Sequence, residues 1–343
     1  MRILILFLLL TLPAASLAEP VIINAVGDIM LAGSGSGLFK RTGYDYPFTA
    51  IAATLLQGDL NIGNLESPIA RAGEEFTDKK FRFKSDPAAA AALRKAGFNH
   101  LSLANNHILD FGPTALKETI AALDDLGISH SGAGPNLMSA RQGSIVTVRE
   151  IRIALLAYSL TYPEEFYAKI ERAGTAPGYE NYYRADIARA KQSADYVIVS
   201  FHWGRECAEF PREYQKSTAR KAIDAGADVV LGHHPHVLQG IEYYKNGVIF
   251  YSLGNFAFAS KSRKADRSMI ARITLDNGIS AVEVIPLNVL YSEVRFQPRV
   301  LGGSRGRAVA DRLNRLSAAM GTVISANNGR YLVEHDAREI ATR

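Results

Sequence analysis

The sequence predicts an α/β fold in which mixed β-sheets are layered and flanked by helices. Short apolar runs of strand length alternate with helical patterns along most of the chain, and this alternation is typical of layered α/β proteins. Strand-like runs then follow one another near the carboxyl end, which predicts a second, partly antiparallel sheet. The composition is that of a globular protein, because 48% of the 343 residues are hydrophobic and 21% are charged.

The predicted strands are runs of strand length that are rich in apolar and β-branched residues. In chain order they are VIINAVGD ending at Asp28, LNIGNLES ending near Glu66, FNHLSLANNH ending near Asn106, IRIALLAYS, DYVIVSFHW, ADVVLGHHPH, GVIFYSLGNF, SMIARITLD and AVEVIPLNV. The last three make up the meander near the carboxyl end.

Helical patterns separate several of these runs. DPAAAAALRKAG has Asp86 as its predicted N-cap and Gly97 as its stop, and PTALKETIAALDDLG opens with Pro113 in its first turn. Residues 161–185 show no regular pattern and are predicted to form an irregular insertion. Further helices are predicted near 186–194, at 213–225 and in GRAVADRLNRLSAAM.

Residues 1–18 have the pattern of a secretory signal peptide. Arg2 precedes an apolar run from Ile3 to Leu10, and the small residues Ser16 and Ala18 mark a cleavage site. The alternative is a short membrane anchor, but the apolar run is too short to cross a hydrocarbon layer of roughly 30 Å. We therefore expect an exported protein of the periplasm or cell envelope, with no transmembrane helix in the mature chain.

The mature chain is predicted to form one main domain at 19–290 and a C-terminal extension at 291–343. We find no internal repeat and no low-complexity linker in the sequence. The extension contains one helical pattern and no motif that indicates chemistry. We expect it to pack on the main domain as a supporting helix and strand segment.

The charge and the cysteine content limit the classes of partner and of site. The formal net charge is +5, which mildly favours an anionic partner. The sequence contains no basic patch interleaved with aromatic residues and no nucleic-acid motif, so a nucleic-acid partner is not expected. Cys207 is the single cysteine of the sequence, so no intrachain disulfide can form.

Polar side chains that can bind metal follow five of the predicted strands. In open α/β sheets, sites form outside the carboxyl ends of the strands, so we expect these side chains to converge. Imidazole and carboxylate ligands favour Zn, Mn, Fe or Co, and the lack of thiolates argues against a structural zinc of the cysteine type. Each residue alone could also close a turn or fill the core. The residues are Asp28, Glu66, Asn106 with His107, His202, and the cluster of His233, His234 and His236.

The segment from His234 to His236 is the most specific of these features. Pro235 between the two histidines is expected to hold the backbone extended. Because residues i and i+2 of a strand share one face, both imidazole rings could flank a single centre.

Six sequence blocks together resemble the CapA family of capsule, or poly-γ-glutamate, biosynthesis proteins. They are GDIML, GNLESPI, LANNHILDFG, FHWGRE, GADVVLGHHPHVLQGIE and YSLGNF, and they span roughly Val21 to Pro286. That family is similar in fold and motif order to the calcineurin-like metallophosphoesterases. The resemblance implies a metallophosphoesterase-like sandwich with layers in the order α-β-β-α.

The same resemblance implies a centre for one or two divalent transition-metal ions, Mn, Fe or Zn. The metallophosphoesterase pattern has a histidine where this chain has Met30, and a thioether is a poor ligand for these ions, so one centre should bind more weakly. His107 would be the general acid or would hold the leaving or transferring group, and Asp110 would orient it. The implied ligand sets are Asn106, His202 and His234 for one ion, Asp28 and His236 for the other, and Glu66 as a bridge.

These implications point to metal-assisted hydrolysis of a phosphoester or of a γ-glutamyl polymer. Arg82 and Lys84 could attract such an anionic substrate, or could be charges that keep an edge strand from associating. Glu206 and Asn255 adjoin the motifs and are further candidates for substrate binding. The alternative is a non-catalytic protein that binds or scaffolds an anionic envelope polymer together with membrane-bound synthase subunits.

Overall fold

The structure of the protein is a computed structural model that describes residues 19–336. The predicted signal peptide at 1–18 lies outside these residues. Two large β-sheets pack face to face, and helices cover the outer face of each sheet. The predicted α-β-β-α sandwich of mixed sheets is therefore confirmed.

The strands and helices follow one another in the alternating order that the sequence predicts. The strands are β1 (Val21–Ile29), β2 (Leu60–Leu65), β3 (His100–Ser102), β4 (Ser129–Ser131), β5 (Ala133–Gly134), β6 (Ser144–Val148), β7 (Ile151–Ser159), β8 (Gly174–Thr175), β9 (Tyr196–His202), β10 (Val229–His233), β11 (Ile241–Tyr244), β12 (Gly247–Phe250), β13 (Arg267–Leu275), β14 (Ile279–Asn288), β15 (Arg299–Val300), β16 (Thr322–Asn327) and β17 (Arg330–His335). The helices are α1 (Ser36–Thr42), α2 (Ala52–Leu55), α3 (Ala88–Lys95), α4 (Gly112–Asp125), α5 (Leu137–Gln142), α6 (Glu180–Lys191), α7 (Glu213–Asp224), α8 (Tyr291–Val294) and α9 (Gly303–Ser317).

The first sheet has the order β16-β17-β14-β13-β1-β2-β3-β4, with β15 beside β14, and the second has the order β11-β12-β10-β9-β7-β6. A small pair, β5 and β8, lies apart from both. The core between the sheets joins Ile23 and Ile62 of the first sheet to Ile198 and Leu231 of the second. Burying each such side chain stabilises the fold by roughly 1.5–3 kcal/mol. Two outer cores pack α3 and α4 on the first sheet, and α6 and α7 on the second.

β1 lies in the middle of the first sheet, between a parallel part and an antiparallel part. It pairs in parallel with β2 and antiparallel with β13. The prediction that the strand runs near the carboxyl end together form a second, partly antiparallel sheet is therefore wrong, because β13 and β14 extend the first sheet and β12 belongs to the second. The physical reason is that β1 is almost entirely buried. Both of its edges need hydrogen-bond partners, and β2 can supply only one.

The irregular insertion is shorter than the sequence predicts. α6 begins at Glu180, whereas the prediction places residues up to 185 in the insertion and starts the helix near 186. The tyrosine-rich start of α6 shows little helical periodicity in the sequence, but Tyr183 is buried in the first turn of this helix. Its ring centroid lies 5.5 Å from that of Phe201 on β9, so packing on the sheet decides the helix start.

The carboxyl ends of strands from both sheets meet at one end of the sandwich. β1, β2 and β3 run parallel in the first sheet, and β9 and β10 run parallel in the second. The loops that follow these strands are in contact there, as hydrogen bonds from His202 to Asn106 and from His234 to Asp28 show. Among the helices of residues 19–336, none combines the length and the apolar character needed to cross a membrane.

Candidate metal centre

Two close backbone approaches bring the metal-binding side chains together. A Cβ atom added to Gly27 would lie 1.8 Å from the carbonyl oxygen of Gly254, and one added to Gly232 would lie 2.0 Å from that of Tyr251. Both positions therefore require glycine. The first approach lets the backbone of Asp28 pair with the segment that contains Asn255. The second holds the end of β10 against the same segment.

One group of ligand atoms comes from the last residue of β9 and from the loops after β2, β3 and β10. Nε2 of His202 lies 2.8 Å from Oδ1 of Asn106 and 3.5 Å from Oε1 of Glu66. One ligand atom each of Glu66, His202 and His234 lie within 4.8 Å of one another. The first predicted ligand set is thus assembled around Glu66.

A second group lies on the other side of Glu66. Nδ1 of His236 is 3.0 Å from Oδ2 of Asp28, and its Nε2 is 3.7 Å from Oε1 of Glu66. The backbone N–H of His234 donates to Oδ2 of Asp28 at 3.3 Å. Glu66 therefore lies between the two groups, where the sequence predicts a bridging ligand.

The backbone of the segment from His234 to His236 does not have the conformation that the sequence predicts. His234 has φ 93° and His236 has φ 59°, so neither backbone is extended, and β10 ends at His233. The prediction of an extended His-Pro-His segment is therefore wrong. The two rings still face one centre, with centroids 5.9 Å apart. Left-handed backbone is costly for residues other than glycine and concentrates at functional sites.

Burial and neighbouring charges shift the pKa values of the carboxylates and of His236. Burial raises the pKa of Asp28, but hydrogen bonds to His233 and His236 outweigh burial and hold it well below the ordinary value. Burial and the nearby charge of Asp28 raise the pKa of Glu66 well above its ordinary value. Burial lowers the pKa of His236, but Glu66 and Asp28 outweigh burial and raise it to about 10.

His202 and His234, the other two histidines of the predicted ligand sets, are held neutral. Burial, reinforced by the charge of His234, keeps the pKa of His202 well below its ordinary value. Burial and the charge of His236 lower the pKa of His234 to about 3. Neutral imidazoles present free lone pairs, which is the form that binds metal ions.

Several buried polar atoms at this site make no hydrogen bond within residues 19–336. They include Oε1 of Glu66, Nδ1 of His234 and Nε2 of His233. Buried polar atoms without partners are rare in native proteins and call for a partner such as an ion. Carboxylate oxygen and imidazole nitrogen are suitable donors for Zn, Mn or Fe. The residues present therefore fit a divalent transition-metal ion.

His107 lies beside this centre in a separate network. Its Nδ1 is 2.7 Å from Oδ2 of Asp110, which is fully buried. Because a carboxylate only accepts hydrogen bonds, Nδ1 carries the hydrogen and Nε2 is left for another partner. Burial lowers the pKa of His107, and the hydrogen bond to Asp110 opposes that effect. Asp110 lies where the sequence predicts an orienting partner for His107.

Two residues of the site, Lys79 and Asn64, are not among the residues that the sequence predicts. Lys79 donates to Oδ1 of Asp110 at 2.5 Å and to the carbonyl oxygen of Asn106, and Asn64 donates to Oδ1 of Asp28 at 2.8 Å. Nδ1 of His233 lies 3.3 Å from Oδ1 of Asp28. Asn64 lies inside a quoted motif and could have been found there, but Lys79 lies in a loop without a motif.

The predicted substrate-binding residues fall into two pairs. Asn255 is buried and its Oδ1 lies 2.9 Å from Nδ1 of His236, and Glu206 is exposed with a carboxylate oxygen near His234 and His236. Arg82 instead pairs with Glu75 at 2.7 Å.

Lys84 donates to the carbonyl oxygen of Arg71 at 3.2 Å. Within the described part of the chain, no hydrogen bond or ion pair joins Arg82 or Lys84 to the ligand atoms of the centre.

Comparison with known proteins now identifies the family. The family model described as "Bacterial capsule synthesis protein PGA_cap" matches residues 22–260, which contain every candidate metal ligand. The chain belongs to this family. The resemblance in the sequence blocks is thereby confirmed.

Two relatives in the capsule synthesis family match most of this chain. "Capsule biosynthesis protein CapA" of Bacillus anthracis is 34% identical over 279 residues, which cover 79% of this chain and 68% of the relative. "PGA biosynthesis protein CapA" of Bacillus subtilis (strain 168) is 33% identical over 267 residues, which cover 77% of this chain and 70% of the relative.

Solved structures with a similar arrangement include phosphoesterases. Haemophilus influenzae NAD nucleotidase is 15% identical with a TM-score of 0.49, covering 94% of this chain and 59% of that one. The calcineurin-like phosphoesterase YfkN from Bacillus subtilis is 12% identical with a TM-score of 0.46, covering 88% of this chain and 97% of that one. Because both TM-scores are below 0.5, the family assignment does not depend on these similarities.

The match to the capsule synthesis family ends at residue 260, before β13 begins. Yet β13 pairs with β1 from Val21↔Leu275 to Ala25↔Ala271, and β1 carries Asp28. The segment beyond the family match therefore supports the strand that presents a candidate ligand.

Proposed function

We propose that the protein is an exported member of the capsule synthesis family that hydrolyses an anionic substrate with the help of a divalent transition-metal centre. The substrate is an envelope polymer with γ-glutamyl linkages or a phosphoester. One observation carries the proposal: carboxylate and imidazole atoms converge at the strand ends, and Oε1 of Glu66 and Nδ1 of His234 are buried there without hydrogen bonds among the described residues.

The proposed ligands divide into two sets that share Glu66. When bound, one or two ions of Mn, Fe or Zn supply Lewis acidity, which polarises the group under attack and activates water at neutral pH. Met30 is buried where the metallophosphoesterase pattern has a histidine, so we propose that the set containing Asp28 binds its ion more weakly. The sets are Asn106, His202 and His234 with Glu66, and Asp28 and His236 with Glu66.

His107 is proposed to handle the proton of the leaving group. Its Nδ1–H is engaged by Asp110 at 2.7 Å, so the ring is oriented with Nε2 available. The pKa of His107 is lowered in the free protein, but an anionic substrate beside the ring favours the imidazolium form. We expect His107 to be protonated in the substrate complex and to donate that proton from Nε2.

Glu206 and Asn255 have different proposed roles. Asn255 faces His236 and fixes the ring from the side opposite Glu66. Glu206 is exposed at the rim, where it can contact a substrate group that carries a hydrogen-bond donor. Arg82 and Lys84 remain proposals for attracting the anion from a greater distance.

The location and the partners of the protein are also part of the proposal. The leader pattern at 1–18 supports export to the periplasm or cell envelope, where capsule polymer is assembled. Membrane-bound synthase subunits are the partners that fit such a role. The positive net charge of +5 agrees with an anionic polymer.

A second candidate function is a non-catalytic scaffold for the polymer and its synthase. Two observations favour it: Met30 replaces a histidine, and His236 forms ion pairs with Asp28 and Glu66. These ion pairs neutralise part of the buried charge, so the fold could persist without an ion.

Elemental analysis and turnover assays separate the two candidates. We expect the purified protein to contain one or two equivalents of metal and to hydrolyse an aryl phosphate or poly-γ-glutamate. We expect His236→Ala to lose that turnover. Bound metal without hydrolysis of either substrate would favour the scaffold. Absence of bound metal after incubation with Mn, Fe and Zn would end the proposal of a metal centre.

A further inference from the structure

We propose that a basic surface beside the metal centre holds an anionic polymer chain that carries repeated carboxylates, and that it guides the chain into the centre. This inference rests on the proposed function because it concerns the same substrate. The basic surface is formed by the exposed side chains Lys261, Arg263, Lys264, Arg299 and Arg305.

The loop that carries three of these basic residues directly follows the wall of the centre in the chain. Oδ1 of Asn255 contacts His236 at 2.9 Å, and Nδ2 of Asn255 donates to Oγ of Ser260 at 2.7 Å. The ring of Phe258 lies 4.8 Å from that of His236. Lys261 follows Ser260 directly, so the three basic residues of this loop begin one residue beyond the wall of the centre.

The positive charges of this surface are not neutralised by ion pairs within the described residues. Within residues 19–336, no carboxylate forms an ion pair with any of its five cations. The carboxylate closest in sequence, Asp266, is shared by Arg267 at 3.4 Å and Arg312 at 3.7 Å. Cations without partners repel one another, so binding of an anion at such a cluster relieves this repulsion.

The loop is fixed in position by α9. Arg312 pairs with Glu209 at 2.8 Å and donates to the carbonyl oxygen of Lys264 at 3.4 Å. Arg305 precedes Arg312 by seven residues, or two helical turns, so both lie on the face of α9 that is turned to the loop.

Arg299 completes the surface from β15. Arg299 pairs in register with Asn288, and Oδ1 of Asn288 accepts a hydrogen bond from Arg267 at 3.1 Å. Its backbone therefore lies beside the residue that contacts Arg267, at the far end of the same loop. The five basic residues thus belong to the loop that follows the centre and to the parts of α9 and β15 that adjoin this loop.

A linear polycarboxylate fits this surface better than a membrane does. Segments that bind membranes combine cations with large apolar side chains such as Trp, Phe or Leu. Of the large apolar side chains exposed in residues 19–336, Val300 is the one that adjoins these cations in sequence. Exposed, spaced cations instead give a chain of weak contacts that depends strongly on salt.

The test compares two variants that each lose three positive charges. Lys261→Gln/Arg263→Gln/Lys264→Gln removes the loop cations, and Lys40→Gln/Arg94→Gln/Lys117→Gln removes exposed cations of α1, α3 and α4 that lack ion pairs in the described chain. Binding of the metal-loaded protein to poly-γ-glutamate is measured at low and at physiological salt, with melting temperature and metal content recorded. We expect the loop variant to bind about tenfold or more weakly and the control variant to match the wild type.

Three outcomes would overturn the inference. They are equal losses in both variants, no loss in the loop variant, and a loop variant that loses binding only to vesicles containing anionic phosphatidylglycerol. Failure of the proposed hydrolase function is seen separately, as absent metal or absent turnover. A difference in polymer binding between the two variants can persist in that case.

Discussion

Nε2 of His202 lies 2.8 Å from Oδ1 of Asn106, although His202 ends a strand of one sheet and Asn106 follows a strand of the other. The candidate centre therefore spans the contact between the two sheets. Ligands from one sheet alone would not complete either proposed set. Any ion that binds here should link the two halves of the sandwich and stabilise the whole fold.

Removing the imidazole of His202 should abolish tight metal binding. We expect His202→Ala to weaken metal affinity by at least about 100-fold, because the variant loses a ring whose Nε2 also lies 3.5 Å from Glu66. Titration calorimetry with Mn or Zn measures the change. His130→Ala is the control, since His130 pairs with Asp124 on α4, away from the centre. Equal affinities in the two variants would contradict the proposed ligand set.

Replacing Gly27 should disturb both stability and the centre. In Gly27→Ala the new Cβ would lie 1.8 Å from the backbone oxygen of Gly254, so the strand pair that presents Asp28 must open. We expect a loss of at least about 2 kcal/mol in the free energy of unfolding, measured by urea denaturation. Gly302→Ala is the matched control, because no atom lies within 4 Å of its added Cβ. If Gly27→Ala were as stable as the control, the close approach would be disproved.

Lys79 should position His107 through Asp110. Lys79 bonds to Oδ1 of Asp110 while Oδ2 faces His107, so Lys79→Met should let the carboxylate and the ring turn. We expect kcat to fall by about 10- to 100-fold with little change in KM or metal content.

The neighbouring exposed Lys80→Met is the control for Lys79→Met. Lys79→Arg should recover part of the loss, because it restores a cation beside Asp110. An unchanged kcat in Lys79→Met would refute the positioning role.

His100 should make the fold sensitive to acid. It is buried between the hydroxyls of Ser129 and Ser131, at 2.9 and 3.0 Å, and burial lowers its pKa to about 3. The unfolded chain binds this proton more tightly, at an ordinary pKa of about 6.5. The stability from neutral His100 is therefore fully present above about pH 6.5 and is lost as the pH falls towards 3, by up to about 1.4 kcal/mol per unit.

The His100→Asn variant isolates this effect, because it cannot titrate. Urea unfolding at several pH values should show the difference from the wild type shrinking as the pH falls from 6.5 to 4. His335→Asn, at the exposed end of β17, should keep the slope of the wild type. Parallel curves for His100→Asn and the wild type would show that His100 does not carry the acid sensitivity.

The sequence could predict that the candidate ligands lie close together, because their positions follow a single rule of sheet geometry. Polar residues at the ends of parallel strands lie at one edge of a sheet, and Asp28, Glu66 and His202 obey that rule. The sequence could also predict the layers, since the period of apolar residues distinguishes strands from helices.

The other features of the site and fold depend on contacts between residues that are distant in the sequence. Local sequence patterns do not predict such contacts. The left-handed backbone at His234 and His236 follows from the loop geometry after β10, and Pro235 alone suggested an extended form. Lys79 reaches Asp110 from a loop 31 residues earlier in the chain. β1 needs an antiparallel partner because both of its edges are buried. The apolar runs of the sequence do not show which strand fills that place, so the strand order could not be predicted from them.

The pairing of Val21 with Leu275 also bears on how the molecule is made. The opening strand of the sandwich has one neighbour that is synthesised soon after it and another that emerges only once most of the polypeptide exists. Such distant pairing delays the closing of loops and slows folding. The first sheet therefore cannot be completed until β13 has been synthesised.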